Sequence, residues 1–180
     1  MVTDEDLYER FWHGEQNAAD ELVRRHGDIL LLFINGYLND IHEAEDLMIE
    51  AFALMFAKKR PTSGVGSFRA YLYKIARRLA GRTKKKHRLH IGFEELPFEI
   101  QSEVLAETSL FENERKRHLY DALEKLKPEY QEALYLVYFE DMSYRDAANV
   151  MKKSESQVTN LVYRGKQSLK NILGQSGFEY

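Results

Sequence analysis

The chain contains no cysteine, only three prolines and a single tryptophan among its 180 residues. Without cysteine it can form neither a disulfide nor a thiolate-bound zinc site, and a reducing cytosol is its natural home. The N-terminus begins with Thr3-Asp4-Glu5-Asp6 rather than with a basic segment and an apolar run. No apolar segment approaches the roughly 20 residues that span a bilayer. We therefore expect a cytoplasmic protein that is neither secreted nor inserted into a membrane.

Recognisable catalytic and metal-binding motifs are also missing. The histidines show no HExxH spacing, and we expect all of them to be surface or packing residues. These six residues are His13, His26, His42, His87, His90 and His118. The glycines of Pro61–Ser67 lack the GxxxxGK[ST] pattern of a phosphate cradle. An enzyme acting on nucleic acid would need convergent carboxylates, but Glu43, Asp46 and Glu50 lie far in sequence from the basic residues. We predict no catalytic residue, no metal and no cofactor.

What the chain does have is a strong separation of charge behind a net charge of −3. Residues 1–57 carry three basic and 13 acidic residues, whereas residues 58–88 carry 12 basic residues and no acid. Residues 89–114 then hold seven glutamates without a lysine or arginine, and residues 115–180 are nearly balanced. The positive charge is therefore local, as expected of a chain that contacts nucleic acid at particular surfaces.

Helical periodicity dominates both ends of the chain. Apolar positions predict helices at 4–12, 18–38 and 42–58, with a turn at Asn39-Asp40. The predicted apolar stripes are Leu22, Val23, Ile29, Leu30, Phe33 and Ile34 in the second helix, and Ala44, Leu47, Ala51, Leu54 and Met55 in the third. The acidic segment 89–112 has no sustained period in its first half and is interpreted as a linker. We expect an all-α fold of two small helical domains, 1–88 and 113–180, joined by this linker.

The stretch Asp141–Leu173 predicts two short helices with a tight turn between them. Ser143 is a suitable N-cap for the first helix, and Ser154 or Glu155 begins the second. Val158, Leu161, Val162 and Leu169 recur at helical spacing. The opposite face carries side chains of the kind that read base edges. On pattern alone, an ordinary helical bundle explains this unit as well as a helix-turn-helix does.

The segment Phe68–Lys86 predicts a helix that Ser67 caps and that interleaves aromatic and basic residues. Leu72, Ile75, Ala76 and Leu79 give it an inward face. Rings can stack on exposed bases while cations follow phosphates, which favours a surface for single-stranded or distorted DNA. The alternative is a solubilising face over aromatic core residues.

Together these features resemble the extracytoplasmic-function (ECF) branch of the sigma-70 family of bacterial RNA polymerase. In the first half the matching residues are Ala44-Glu45-Asp46-Leu47, Glu50, Phe52 and Ser67-Phe68-Arg69-Ala70-Tyr71-Leu72-Tyr73-Lys74-Ile75-Ala76-Arg77. In the second half they are the segments 123–134, 138–144 and the two-helix unit. The chain departs from the family pattern at Ile49, Arg78, Arg82, Lys152 and Leu161.

The resemblance implies a transcription initiation factor that binds the polymerase core enzyme, directs it to promoters and assists their melting, without being an enzyme itself. It implies sigma region 2 at 1–88 and sigma region 4 at 113–180, joined by the linker 89–112, of which residues 89–110 would thread toward the active-site channel of the polymerase. It also implies an anti-sigma factor as a possible further partner. A stand-alone helix-turn-helix regulator, or a sigma-like protein that does not initiate transcription, is the alternative.

The resemblance also assigns site residues. Contacts to the minus-10 element are expected from Ser63, Phe68, Tyr71, Lys74, Arg77, Arg78, Arg82, Lys84, Lys85, Lys86 and Arg88. Contacts to the minus-35 element are expected from Ser154, Ser156, Gln157, Thr159, Asn160, Tyr163, Arg164 and Lys166. The core polymerase is expected to contact Glu45, Asp46, Ile49 and Glu50.

Overall fold

The computed structural model describes residues 2–57, 67–87, 98–100 and 114–175, with side chains from residue 118 onward in the last range. All regular secondary structure in these ranges is helical, which confirms the all-α prediction. The chain divides into two compact units, Met1–Leu96 and Pro97–Tyr180. Most of the predicted linker 89–112 lies outside the described residues. Within the described ranges, no helix has the length and apolarity needed to span a bilayer.

The N-terminal unit contains four described helices: α1 (Asp4–Trp12), α2 (Gln16–Leu38), α3 (Ile41–Phe56) and α4 (Phe68–His87). Asn39 ends α2 in the left-handed conformation (φ 54°), and the carboxylate of Asp40 accepts the N–H groups of His42 and Glu43 at 3.1 Å. Asparagine tolerates this conformation, and aspartate is a favoured N-cap. The predicted turn at Asn39-Asp40 is confirmed.

The core of this unit follows the predicted apolar stripes only in part. Leu22, Leu30, Phe33 and Ile34 of α2 are fully buried. Val23 and Ile29, which the periodicity placed with them, are more than one third exposed, and so is Leu54 of α3. Periodicity identifies the apolar face of a helix, but the burial of each residue also depends on how the neighbouring helices pack along that face.

Helix α1 is tied to the rest of the unit by polar contacts. Asp4 lies 2.9 Å from Nε2 of His26 and accepts from Arg25 at 3.2 Å. Burial holds the pKa of His26 below its ordinary value, although Asp4 acts in the opposite direction. The carboxylate of Glu5 accepts the N–H of Phe68 at 2.9 Å. Residues of α1 therefore help fix where α4 begins.

The C-terminal unit contains α5 (Glu114–Glu124), α6 (Pro128–Leu134), a π-helical turn (Tyr135–Phe139), α7 (Tyr144–Met151) and α8 (Glu155–Gln175). Proline at the first position of α6 suits a helix start, because its missing N–H has no partner there. Leu134, Leu136, Val150, Val158 and Val162 are among its buried residues.

Helix α8 crosses α6 at a glycine. A Cβ added to Gly165 would lie 3.1 Å from Cδ1 of Leu134 and 3.2 Å from Cβ of Tyr130. The two helices therefore approach more closely than a larger residue at this position would allow. A Cβ added to Gly174, near the end of the same helix, would have no neighbour within 4 Å.

We expect Gly165→Ala to lower the free energy of unfolding by about 1–3 kcal/mol, because the added methyl group overpacks the α6–α8 contact. The measurement is urea unfolding followed by circular dichroism, with the fluorescence of Trp12 reporting on the N-terminal unit. Gly174→Ala is the matched control and should be neutral or stabilising by up to about 1 kcal/mol, since alanine is the better helix former. Equal effects of the two substitutions would contradict the close approach.

Candidate nucleic-acid interface

Helix α4 carries a row of exposed cations along one side. Lys74, Arg78 and Arg82 follow one another at four-residue spacing, so they share a face of the helix, and all three are exposed. Lys85 and Lys86 are exposed in the last turn. The opposite face is buried through the residues that the periodicity predicted, namely Leu72, Ile75, Ala76 and Leu79.

Phe68 lies on the inner side of α4. Its ring centroid is 5.6 Å from that of Tyr8 and 5.8 Å from that of His26, and the residue is buried. Its side chain packs in the core of the N-terminal unit rather than on the exposed row. Tyr71 and Arg77 are half-buried beside that row.

Lys84 also makes a contact within the unit. Its Nζ donates to the backbone carbonyl of Tyr37 in the last turn of α2. A cation at this end of a helix is favourable, because the last carbonyl groups have no partner within the helix. Lys84 is therefore half-buried and bonded within the unit, whereas its neighbours Lys85 and Lys86 are exposed. Ser63 and Arg88, also assigned to this surface, lie outside the described residues.

In the C-terminal unit, α7 and α8 are joined by a tight turn. The hydroxyl of Ser143 accepts the N–H of Asp146 at 3.1 Å, which confirms Ser143 as the N-cap of α7. Lys152 ends α7 in the left-handed conformation, with φ 56° and ψ 43°. Glycine adopts this conformation at less cost, so the turn carries some backbone strain.

Helix α8 begins with a reciprocal pair of side-chain bonds. The side-chain oxygen of Gln157 accepts the N–H of Ser154 at 2.8 Å, and the hydroxyl of Ser154 accepts the N–H of Gln157 at 3.2 Å. This is a capping box, and its Ser-x-x-Gln spacing is visible in the sequence. Gln157 therefore has a structural task in addition to the DNA contact assigned to it.

The outward face of α8 is polar over its first three turns. All eight residues assigned to the minus-35 contact are exposed; they are Ser154, Ser156, Gln157, Thr159, Asn160, Tyr163, Arg164 and Lys166. Tyr163 is the most exposed large apolar side chain of the described ranges, at 64%. Val158 and Val162 are buried on the other side, so the helix separates the two faces as predicted.

Lys166 pairs with a tyrosine that sequence patterns did not indicate. Its Nζ lies 3.0 Å from the hydroxyl of Tyr138 and 5.2 Å from the centre of the ring. The hydrogen bond with Tyr138 raises the pKa of Lys166 above its ordinary value. No sequence signal links these residues, because they come from different elements and are 28 positions apart.

Helix α3 presents a third surface of different chemistry. Glu45, Asp46 and Glu50 are exposed, as predicted. Between them lies Ile49, a large apolar side chain that is 58% exposed. A large exposed apolar side chain among carboxylates is suited to contact with a partner protein. In the described part of the chain, no group of three or more histidine, aspartate or glutamate side chains could hold a metal ion.

Comparisons with known proteins match both units to one family. Residues 22–89 match the family model for sigma-70 region 2, and residues 116–169 match that for sigma-70 region 4. The RNA polymerase sigma-H factor of Pseudomonas aeruginosa is 26% identical, with 94% of this chain and 93% of that protein covered. The ECF RNA polymerase sigma factor BldN of Streptomyces coelicolor is 29% identical over 93% of this chain and 65% of its own length.

A solved structure shares the fold. The sigma factor RpoE from Bartonella quintana, crystallised with the anti-sigma factor NepR, aligns with a TM-score of 0.63 and 19% identity. The alignment covers 86% of this chain and 96% of that one.

The two units, with their exposed cationic and polar helix faces, define a helical protein of the DNA-binding class. The two family models together cover about two thirds of the chain, in the order of the family's own regions. The chain belongs to the sigma-70 family, in its ECF branch, and is thereby a factor of transcription initiation.

We expect Arg78→Gln to weaken promoter binding by the complex with core polymerase, because the row on α4 is positioned to neutralise phosphates. Losing one phosphate contact should lower the slope of log affinity against log salt by about 0.7–0.9. The measurement is a salt titration of binding to promoter DNA. Arg24→Gln is the matched control, since Arg24 is an exposed cation of α2, outside the row. An identical slope for both variants would indicate that the row is a solubilising face.

Proposed function

We propose that this chain binds the core enzyme of bacterial RNA polymerase and directs it to promoters that carry a minus-10 and a minus-35 element. One observation carries the proposal. Each of the two sigma-70 regions contains a helix whose buried apolar face positions an exposed row of DNA-compatible side chains, on α4 and on α8. The chain acts on the specificity of the polymerase and is not itself an enzyme, and its site of action is the cytoplasm.

The N-terminal unit would engage the minus-10 element. Unstacking a base costs a few kcal/mol, so its capture requires phosphate neutralisation close by. Lys74, Arg78 and Arg82 supply that charge on one face of α4, with Tyr71 and Arg77 beside them. Phe68, by contrast, contributes by fixing α4 against Tyr8 and His26.

The C-terminal unit would read the minus-35 element with α8 in the major groove. Asn160 and Arg164 lie on the exposed face, and amide and guanidinium groups are those that pair with adenine and guanine edges. Gln157 would join this contact with its amide nitrogen, while its side-chain oxygen caps the helix by accepting the N–H of Ser154.

The polymerase itself would contact α3. Ile49 provides apolar area, and Glu45, Asp46 and Glu50 surround it with negative charge. This pattern fits a partner surface that is basic at its rim and apolar at its centre. An anti-sigma factor is a further expected partner, as in the RpoE–NepR complex.

Reconstitution with core polymerase tests the function directly. The full chain, core enzyme and promoter fragments should give transcripts with defined start sites, whereas the chain alone should bind duplex promoters weakly. A stand-alone helix-turn-helix regulator would show the reverse, with duplex binding that does not need the core enzyme. Failure to bind core polymerase would refute the proposal.

We expect Ile49→Ala to weaken binding to core polymerase by about tenfold, since an exposed apolar anchor at an interface contributes on the order of 1–2 kcal/mol. Fluorescence anisotropy of labelled chain titrated with core enzyme measures the change. Ile29→Ala is the matched control, because Ile29 is an equally large, 42% exposed residue of α2. Comparable losses for both variants would place the interface elsewhere.

We expect Asn160→Ala to relax base preference within the minus-35 element by about 1–3 kcal/mol, the value of one good bidentate contact. Transcription from promoters with single base changes measures the preference. Asn171→Ala is the control, since Asn171 is an exposed asparagine on nearly the same face of α8, about 16 Å further along its axis. Unchanged selectivity of the Asn160 variant would remove this residue from the reading face.

A further inference from the structure

Three residues that precede α5 in sequence are packed into the C-terminal unit. Phe98 and Ile100 are buried, at 1% and 3% exposure, whereas Glu99 between them is exposed. This alternation is that of an extended segment with one face against the protein. We call Phe98–Ile100 the strap.

The strap has both an apolar and a polar attachment. The ring of Phe98 packs on that of Tyr135, with 5.5 Å between centroids and 60° between planes. The backbone N–H of Ile100 donates to the side-chain oxygen of Gln131 at 2.6 Å. A backbone N–H bonded to a fixed acceptor, beside pockets for alternate side chains, is how proteins bind extended peptides.

Two further hydrogen bonds fix the side chain of Gln131 in the orientation that this contact needs. It is 1% exposed, and its Nε2 donates to the carbonyls of Glu124 at 3.0 Å and Leu126 at 2.9 Å. These two bonds fix the amide group so that its oxygen points at the strap. A buried acceptor without a donor costs free energy of folding. The N–H of Ile100 supplies that donor to the oxygen of Gln131.

The position of the strap in the sequence gives the contact a consequence. It lies inside the linker 89–112, which the resemblance to the sigma-70 family directs toward the active-site channel of the polymerase.

We propose that the strap is an intramolecular ligand of the C-terminal unit, and that polymerase binding must release it before the linker can enter the channel. The docked strap and the inserted linker exclude each other because they use the same three residues. The free chain is then held in a form that is less competent for initiation. This inference rests on the proposed function.

Thiol reactivity in the free chain tests the docking, and the absence of native cysteine makes the probe specific. Ile100→Cys should react with a maleimide at least about tenfold more slowly than Glu99→Cys, because only the latter side chain is exposed. Adding Phe98→Ser or Gln131→Met, which weaken the contact from its two sides, should speed the reaction of the thiol introduced at position 100. Equal rates at positions 99 and 100 in the otherwise unchanged chain would refute the docking.

Initiation assays test the consequence. Gln131→Met alters the docking site but leaves the linker sequence intact, so it should lower the chain concentration that gives half-maximal promoter-specific transcript from core enzyme. If only a fraction of the chain has a released strap, the decrease in this concentration should match the factor by which thiol reactivity at position 100 rises. Glu99→Ser, the matched control in the strap, should leave the concentration unchanged.

The outcomes separate the two proposals. Half-maximal promoter-specific transcript at the same concentration of the wild type and of Gln131→Met, despite faster thiol labelling at position 100, would overturn the inference and leave the proposed function standing. Absence of core binding by the wild type would overturn the proposed function and the release step with it. Urea unfolding measures the stability of the Gln131→Met variant. A midpoint equal to that of the wild type would show that the faster thiol labelling and the lower concentration for half-maximal transcript do not come from a destabilised C-terminal unit.

Discussion

Each exposed polar surface of this protein is held in place by the buried face of the same helix. The row of cations on α4 can point outward in register because Leu72, Ile75, Ala76 and Leu79 point inward. On α8, Val158 and Val162 do the same for Asn160 and Tyr163. With 3.6 residues per turn, burying one stripe fixes the direction of every other side chain. The apolar contacts thus define both candidate DNA-facing surfaces.

Features that depend on local sequence were predictable, and features that depend on tertiary contact were not. Ser143 as an N-cap and the turn at Asn39-Asp40 follow from the preferences of single residues. Phe68 and Lys84 read as members of the basic surface, yet α1 and α2 supply Tyr8 and the carbonyl of Tyr37 as their partners. Periodicity gives the face of a helix, but it does not show which neighbour covers that face.

The net free energy that docks the strap on the C-terminal unit is small. Burying Phe98 and Ile100 contributes about 1.5–3 kcal/mol each. Ordering the backbone of three residues costs about 1–2 kcal/mol each, which nearly cancels the gain. The bond from Ile100 to Gln131 adds roughly 1 kcal/mol. A contact so close to balance can be displaced by a competing partner without disturbing the helices beneath it.

The charge distribution links the surfaces to one another. Residues 1–57 carry a net charge of −10 in the same unit as the cationic row of α4. Acidic side chains repel the phosphate backbone, so they oppose non-specific binding of this unit to DNA. A basic partner surface on α3 would offset the charge of Glu45, Asp46 and Glu50 and remove part of that repulsion. Binding of polymerase and binding of DNA would then reinforce each other through electrostatics, which would allow an acidic protein to carry the two candidate DNA-facing helices.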